Sequence, residues 1–142
     1  NEGVTAAISA QEGAIGVVEF TYARQSGLQV AALRNVAGRF VTPSATGIRV
    51  AADELLSVET VDTLGGIVGA RAEIAYPAVV LTRITADRAL GDPTRAAHFI
   101  AFARWALRDG AQSAASLDYV ALPDPVRDEL HRRLDALRPG RC

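Results

Sequence analysis

The 142-residue chain is 49% hydrophobic and 22% charged, with a formal net charge of −1. Such a composition can bury enough apolar surface to offset chain ordering, so disorder is not expected. Its 15 basic residues, all Arg, face 16 acidic ones. No basic face is available for counterion release, and no nucleic-acid partner is expected.

The single cysteine, Cys142, is the last residue, where it can neither close an internal disulfide nor assemble a metal site with other thiolates. No metal and no cofactor is expected. Met is absent, from position 1 as from the rest, which predicts that Asn1 is not a translation start. No apolar run reaches the ~18 residues of a membrane span. The length suits one ordinary domain.

Asn1 is a candidate cap for a short helix with Val4, Ala7 and Ile8 on one face, ending near Gly13. The apolar run Ala14-Ile15-Gly16-Val17-Val18 predicts a strand buried on both faces. Residues 21–26 predict a helical turn closed by Gly27, and residues 29–33 a second strand. After Thr42-Pro43, Ser44 starts a predicted helix with Ile48, Ala51, Ala52 and Leu55 at helical spacing. Residues 58–73 are irregular, and Tyr76-Pro77 leads into a third predicted strand, 79–85, rich in Val, Ile and Thr.

Asp92 and Pro93 are N-cap and first helical residue of a long predicted helix, with Ala96, Ile100, Ala103 and Leu107 inward and Gly110 at its end. Asp124-Pro125 repeats the start signal. Val126, Leu130, Leu134 and Leu137 form a stripe, and Pro139-Gly140 stops the last helix. The sum is an α/β segment followed by a helical tail.

Chemistry is harder to find. No G-x-S-x-G elbow, Cys-His pair or S-x-x-K occurs, so hydrolytic nucleophiles are missing and the chain does not read as an enzyme. Gly65-Gly66-Ile67-Val68-Gly69 has no following Lys-Ser/Thr and reads as a turn, not a phosphate cradle. His98 and His131 belong to no spaced ligand set and read as solvated. Glu19, ending the first strand, is either a general base or a strand-end carboxylate held by a local donor, with the second favoured. Trp105, Phe99 and Phe102 read as core packing. Arg127, Arg132, Arg133 and Arg138 are neutralised by Asp124, Asp128, Glu129 and Asp135 and read as a solvated helix face.

Ordered strings carry more. Asn1-Glu2-Gly3-Val4, Gly13-Ala14-Ile15-Gly16-Val17-Val18-Glu19 with Tyr22-Ala23, and Ala31-Ala32-Leu33-Arg34-Asn35 before Gly38-Arg39-Phe40-Val41 resemble the periplasmic phosphate-binding receptors of ABC transporters. So do Tyr76-Pro77, Trp105-Ala106-Leu107, Asp109-Gly110-Ala111-Gln112, Leu117-Asp118-Tyr119-Val120 and Leu122-Pro123. Glu12, Val17 and Ala121 depart from the family, which more often has proline, an aromatic and proline there.

The resemblance implies the C-terminal portion of a two-lobed type II periplasmic-binding-protein clamp, incomplete as given. Residues 1–75 would be the later part of the second lobe, and 76–142 the hinge crossing and return into the first. It also implies inorganic phosphate as ligand, an ABC permease as partner, and a bacterial periplasmic or extracytoplasmic location, free or as a lipoprotein. Alternatives are a receptor for sulfate or molybdate, or a free-standing half-receptor acting as an interaction module. The family's Ser/Thr loops and Arg that grip phosphate have no counterpart in these residues. Asn1, Glu2 and Gly3 read as a plain helix start, so no ligand-binding residue is expected here.

Overall fold

The computed structural model describes residues 1–62, 67–86 and 92–137. Their helices are α1 (Glu2–Ala10), α2 (Phe20–Gln25), α3 (Ala45–Leu55), α4 (Pro93–Leu107), α5 (Gly110–Ser116) and α6 (Asp124–Ala136). One antiparallel hairpin joins β1 (Leu33–Arg34) and β2 (Phe40–Val41), with Leu33 opposite Val41 and Arg34 opposite Phe40. The arrangement is helices with few strands.

Helix starts follow their caps. Ser44 Oγ accepts the Gly47 N–H at 3.1 Å, and Asp92 Oδ1 accepts those of Thr94 at 2.8 Å and Arg95 at 3.4 Å, with Pro93 at the first helical position. These donors have no intrahelical acceptor, so a side-chain oxygen satisfies them. Asn1 is the N-cap of α1 but makes no such bond; its Oδ1 accepts the N–H of Glu19 at 3.0 Å. The expected end of the long helix at Gly110 is corrected: α4 stops at Leu107, and Gly110 begins α5. A Cβ on Gly110 would lie 3.2 Å from the Trp105 ring, so glycine suits the close approach of the chain to that indole. The expected stop at Pro139-Gly140 lies outside the described residues.

The three expected strands are largely absent. Residues 14–18 carry no regular secondary structure and pair with no strand among the described residues, and Ile15 and Val17 are 98% and 92% exposed. Of 29–33 only Leu33 enters a strand, and of 79–85 only Val79 forms a bridge, to Ile67. Strand propensity is a fit to neighbours in a sheet, and here the neighbours are missing. One face of residues 14–18 is nevertheless covered: a Cβ on Gly16 would meet Ile8 Cδ1 at 2.7 Å and Val4 at 2.8 Å. Ile15 and Val17 form the uncovered face.

The hydrophobic core is built around α3. Ala51 and Ala52 pack with Leu56, Val61, Ile67, Ala70, Ala75 and Val79, and α6 closes the cluster with Val126. Full burial of that valine is worth about 1.5–3 kcal/mol. α4 lies against α5 and α6, and α1 against α2. The buried Ala23 of α2 stands outside the main cluster, so residues 1–28 form a separate, smaller packing unit.

A polar knot attaches the hairpin to this core. Asn35 is buried; its Nδ2 donates to the carbonyls of Glu73 at 2.8 Å, Ala75 at 3.2 Å and Ala72 at 3.3 Å, while its Oδ1 accepts the Arg39 N–H at 3.0 Å. Glu54 completes the knot by accepting the N–H groups of Arg71 at 2.7 Å and Ala72 at 3.1 Å. From α3, the Gly47 carbonyl accepts the Tyr76 N–H at 3.1 Å. The irregular stretch before Tyr76 is thereby ordered without regular secondary structure.

Candidate functional site

Two places gather polar or aromatic side chains. The first is a shallow cavity of about 330 Å³ between α4 and α6, lined by Arg104, Trp105, Arg108, Asp109 and His131. Phe102 and Trp105 are 53% and 49% exposed, with ring centroids 6.0 Å apart. The expectation that these aromatics pack in the core is therefore corrected, because α4 buries only Ala96 fully. His131, expected to be solvated, is half-buried at this cavity, whereas His98 is exposed. The guanidiniums of the cavity already have carboxylates: Arg104 pairs with Asp135, and Arg108 with Asp109 at 3.1 Å. With its cations matched, the cavity offers no uncompensated charge to an anion.

The second place is a corner where the first packing unit meets the helical tail. The Tyr119 hydroxyl donates to Glu19 Oε2 at 2.6 Å. Beside it, Arg24 Nη1 donates to Asp118 Oδ1 at 2.5 Å, and the Arg24 guanidinium lies 5.9 Å from the centre of the Phe20 ring. The hydrogen bond to Glu19 holds the Tyr119 phenol above its usual range. Glu19 is thus held by a donor, but it caps α2 and ends no strand, and the donor is distant in sequence where a local one is expected.

The remaining sequence candidates stay apart. Arg127 pairs with Asp124 at 2.5 Å, Arg132 with Glu129, and Arg133 with both Glu129 and Asp62 at 2.8 Å, which raises the Arg133 pKa. This is the neutralised face the sequence suggests. Gly69, in the left-handed region at φ +93°, fits the predicted turn; Gly65, Gly66, Arg138 and Cys142 lie outside the described residues. Among the described residues no three His, Cys, Asp or Glu side chains gather to hold a metal, and no helix is long and apolar enough to cross a membrane.

Neither place presents an unpaired charged group to a ligand among the described residues, and the chain's likeness to curated proteins is the more specific guide. The chain is 33% identical over 126 residues to the phosphate-binding protein PstS of Pasteurella multocida, a match that spans 89% of this chain and 37% of that protein. It is 32% identical over 123 residues to PstS of Xylella fastidiosa (87% and 34%), and 31% identical over 126 residues to PstS of Haemophilus influenzae (89% and 38%). The chain therefore spans somewhat more than a third of the length of the curated relatives it matches. No protein-family model matches.

Proposed function

We propose that the chain is part of a receptor that captures inorganic phosphate for an ABC importer, and that it supplies scaffold and no ligand-gripping groups. The observation that carries this reading is similarity at 31–33% identity across nearly nine tenths of the chain to proteins named for phosphate binding. Physical support comes from residues 14–18: α1 covers one side, while Ile15 and Val17 stand bare on the other. An apolar run that forms no strand here and leaves two β-branched side chains bare is suited to join a sheet supplied by other parts of a receptor. In the complete receptor those neighbours would come from the rest of a two-lobed α/β clamp.

Phosphate is held in such clamps by N–H donors at helix N-termini and by an arginine. In this chain Ser44 takes one N-terminal N–H of α3 and Asp92 two of α4, and the cavity arginines are paired, which favours ligand groups elsewhere in the receptor. Binding, not catalysis, in the bacterial periplasm or at the outer surface of the cell, with a permease as partner, follows from the same reading.

For the lobes, we propose that residues 1–75 belong to the second and 76–142 to the hinge crossing and return. One core cluster unites Ala51, Ala75 and Val126, however, and this favours an earlier crossing, between α2 and β1. The decisive experiment is titration calorimetry with phosphate, sulfate and molybdate, on the 142 residues alone and on the chain joined to its upstream coding sequence. Phosphate binding by the longer protein only is expected. Binding by the short chain, or a preference for sulfate or molybdate, would refute the reading.

A further inference from the structure

The helices α2 and α5 end in the same way, and the difference between them identifies a conformational device. After α2 the N–H of Leu28 bonds the Ala23 carbonyl at 2.9 Å and that of Gly27 bonds Arg24 at 3.1 Å, with Gly27 at φ +65°. After α5 the N–H of Tyr119 bonds Ala114 at 3.0 Å and that of Asp118 bonds Ala115 at 3.1 Å, with Asp118 at φ +64°. Both are Schellman caps, whose left-handed position favours glycine. At the second cap an aspartate holds that position, and it is the one non-glycine residue with positive φ among those described.

Local structure alone does not favour a side chain there, because the left-handed region disfavours Cβ. The side chain has a long-range use: Asp118 pairs with Arg24, which lies in the last turn of α2, and the next residue, Tyr119, donates to Glu19, the N-cap of α2. Both ends of α2 are therefore tied to two consecutive residues of the helical tail. Ala23 lies outside the main core cluster and α1 packs on α2.

We infer that Glu19–Tyr119 and Arg24–Asp118 form a polar latch that fixes the unit of residues 1–28 against the α4–α6 tail, and that releasing it frees this unit as a body. That the released motion is a movement of lobes rests on the receptor reading above, with its crossing between α2 and β1. Left-handed strain at a non-glycine residue is characteristic of switch positions, and here the strained residue is itself half of an ion pair.

The test is hydrogen exchange on the 142-residue chain without phosphate, using Tyr119→Phe, Glu19→Ala, Asp118→Gly and the Tyr119→Phe/Glu19→Ala pair. Loss of one of these exposed contacts should accelerate exchange in residues 1–28 by roughly two- to fivefold, while the amides of α3 and α6 keep their protection. Asp118→Gly should do likewise while α5 becomes better protected, because glycine relieves the cap. The double variant should open no faster than the faster single one.

Unchanged exchange in residues 1–28, multiplicative effects in the double variant, or loss of protection throughout the chain would each overturn the latch. Because phosphate is absent, failure here leaves the receptor reading intact. Failure of the longer protein to bind phosphate would leave this exchange result standing.

Discussion

Replacing Asn35 with alanine removes the buried side chain that ties the β1–β2 hairpin to residues 72–75, leaving only the exposed Arg39–Glu73 pair at 3.4 Å. The Asn35 amide protons serve three carbonyls, the shortest at 2.8 Å, and its oxygen serves the Arg39 N–H. Each net hydrogen bond is worth about 0.5–1.5 kcal/mol, and each buried polar group left unsatisfied costs about 1–3 kcal/mol. The carbonyls at the surface regain water, but Ala75 is fully buried, so a loss of about 2–4 kcal/mol is expected. With a urea slope near 1–3 kcal/mol/M, the midpoint falls by roughly 1–2 M. Urea denaturation followed by tryptophan fluorescence at Trp105 measures it.

Asn35→Asp provides the control. It keeps the acceptor for Arg39 and turns a carboxylate toward three carbonyls, which holds its folded pKa above the unfolded value of about 3.9. The neutral form is then the stabilised one, so its stability should rise as pH falls through the folded value and be lowest at neutral pH. A change under about 0.5 kcal/mol for Asn35→Ala, of the size seen at ordinary surface sites, would refute the structural role assigned to the amide.

Gly47→Ala would normally gain about 0.5–1 kcal/mol in a helix. Here the new Cβ would sit 2.8 Å from the Ile74 carbonyl oxygen, so a loss of about 1–3 kcal/mol is expected from the same denaturation curves. Tyr119 donates to Glu19 and also faces Tyr22, and its pKa is raised in the folded chain. The stability it contributes is complete below the unfolded value of about 10 and is lost as pH rises through the folded value; the protection of residues 1–28 relative to that of α3 and α6 should therefore fall in strongly alkaline solution, and Tyr119→Phe should remove that extra fall. Exposure of Ile15, Val17, Phe40 and Val80 predicts self-association of the 142 residues in sedimentation velocity. Ile15→Asp with Val17→Asp should give a monomer with unchanged unfolding, and a compact monomer of the unsubstituted chain would contradict the prediction.

Features fixed by near neighbours were legible in the sequence. Ser44 and Asp92 cap their helices with their own side chains, so their helix starts could be read within a few residues. The stripe of α6 proved correct at Val126, which is buried, with Leu130, Leu134 and Leu137 half-buried. Strands were misread because residues 14–18 have the composition of a strand but no hydrogen-bonding neighbour, and composition does not reveal whether a neighbour is present. Glu19 ends no strand and has no local side-chain donor; it is held by Tyr119, 100 positions away, which no local pattern reveals. Asp118 gave no signal at all, since the usual mark of a left-handed helix cap is glycine.

The position of Val126 also bears on how the protein is made. It belongs to the same core as Ala51 and Val79, yet lies 47 positions beyond Val79 in the chain. Until that interval is delivered to the compartment where the protein folds, the α3 cluster lacks its closing side chain and exposes apolar surface. A chain cut before α6 should therefore show little exchange protection in α3, and one reaching the end of α6 should recover it.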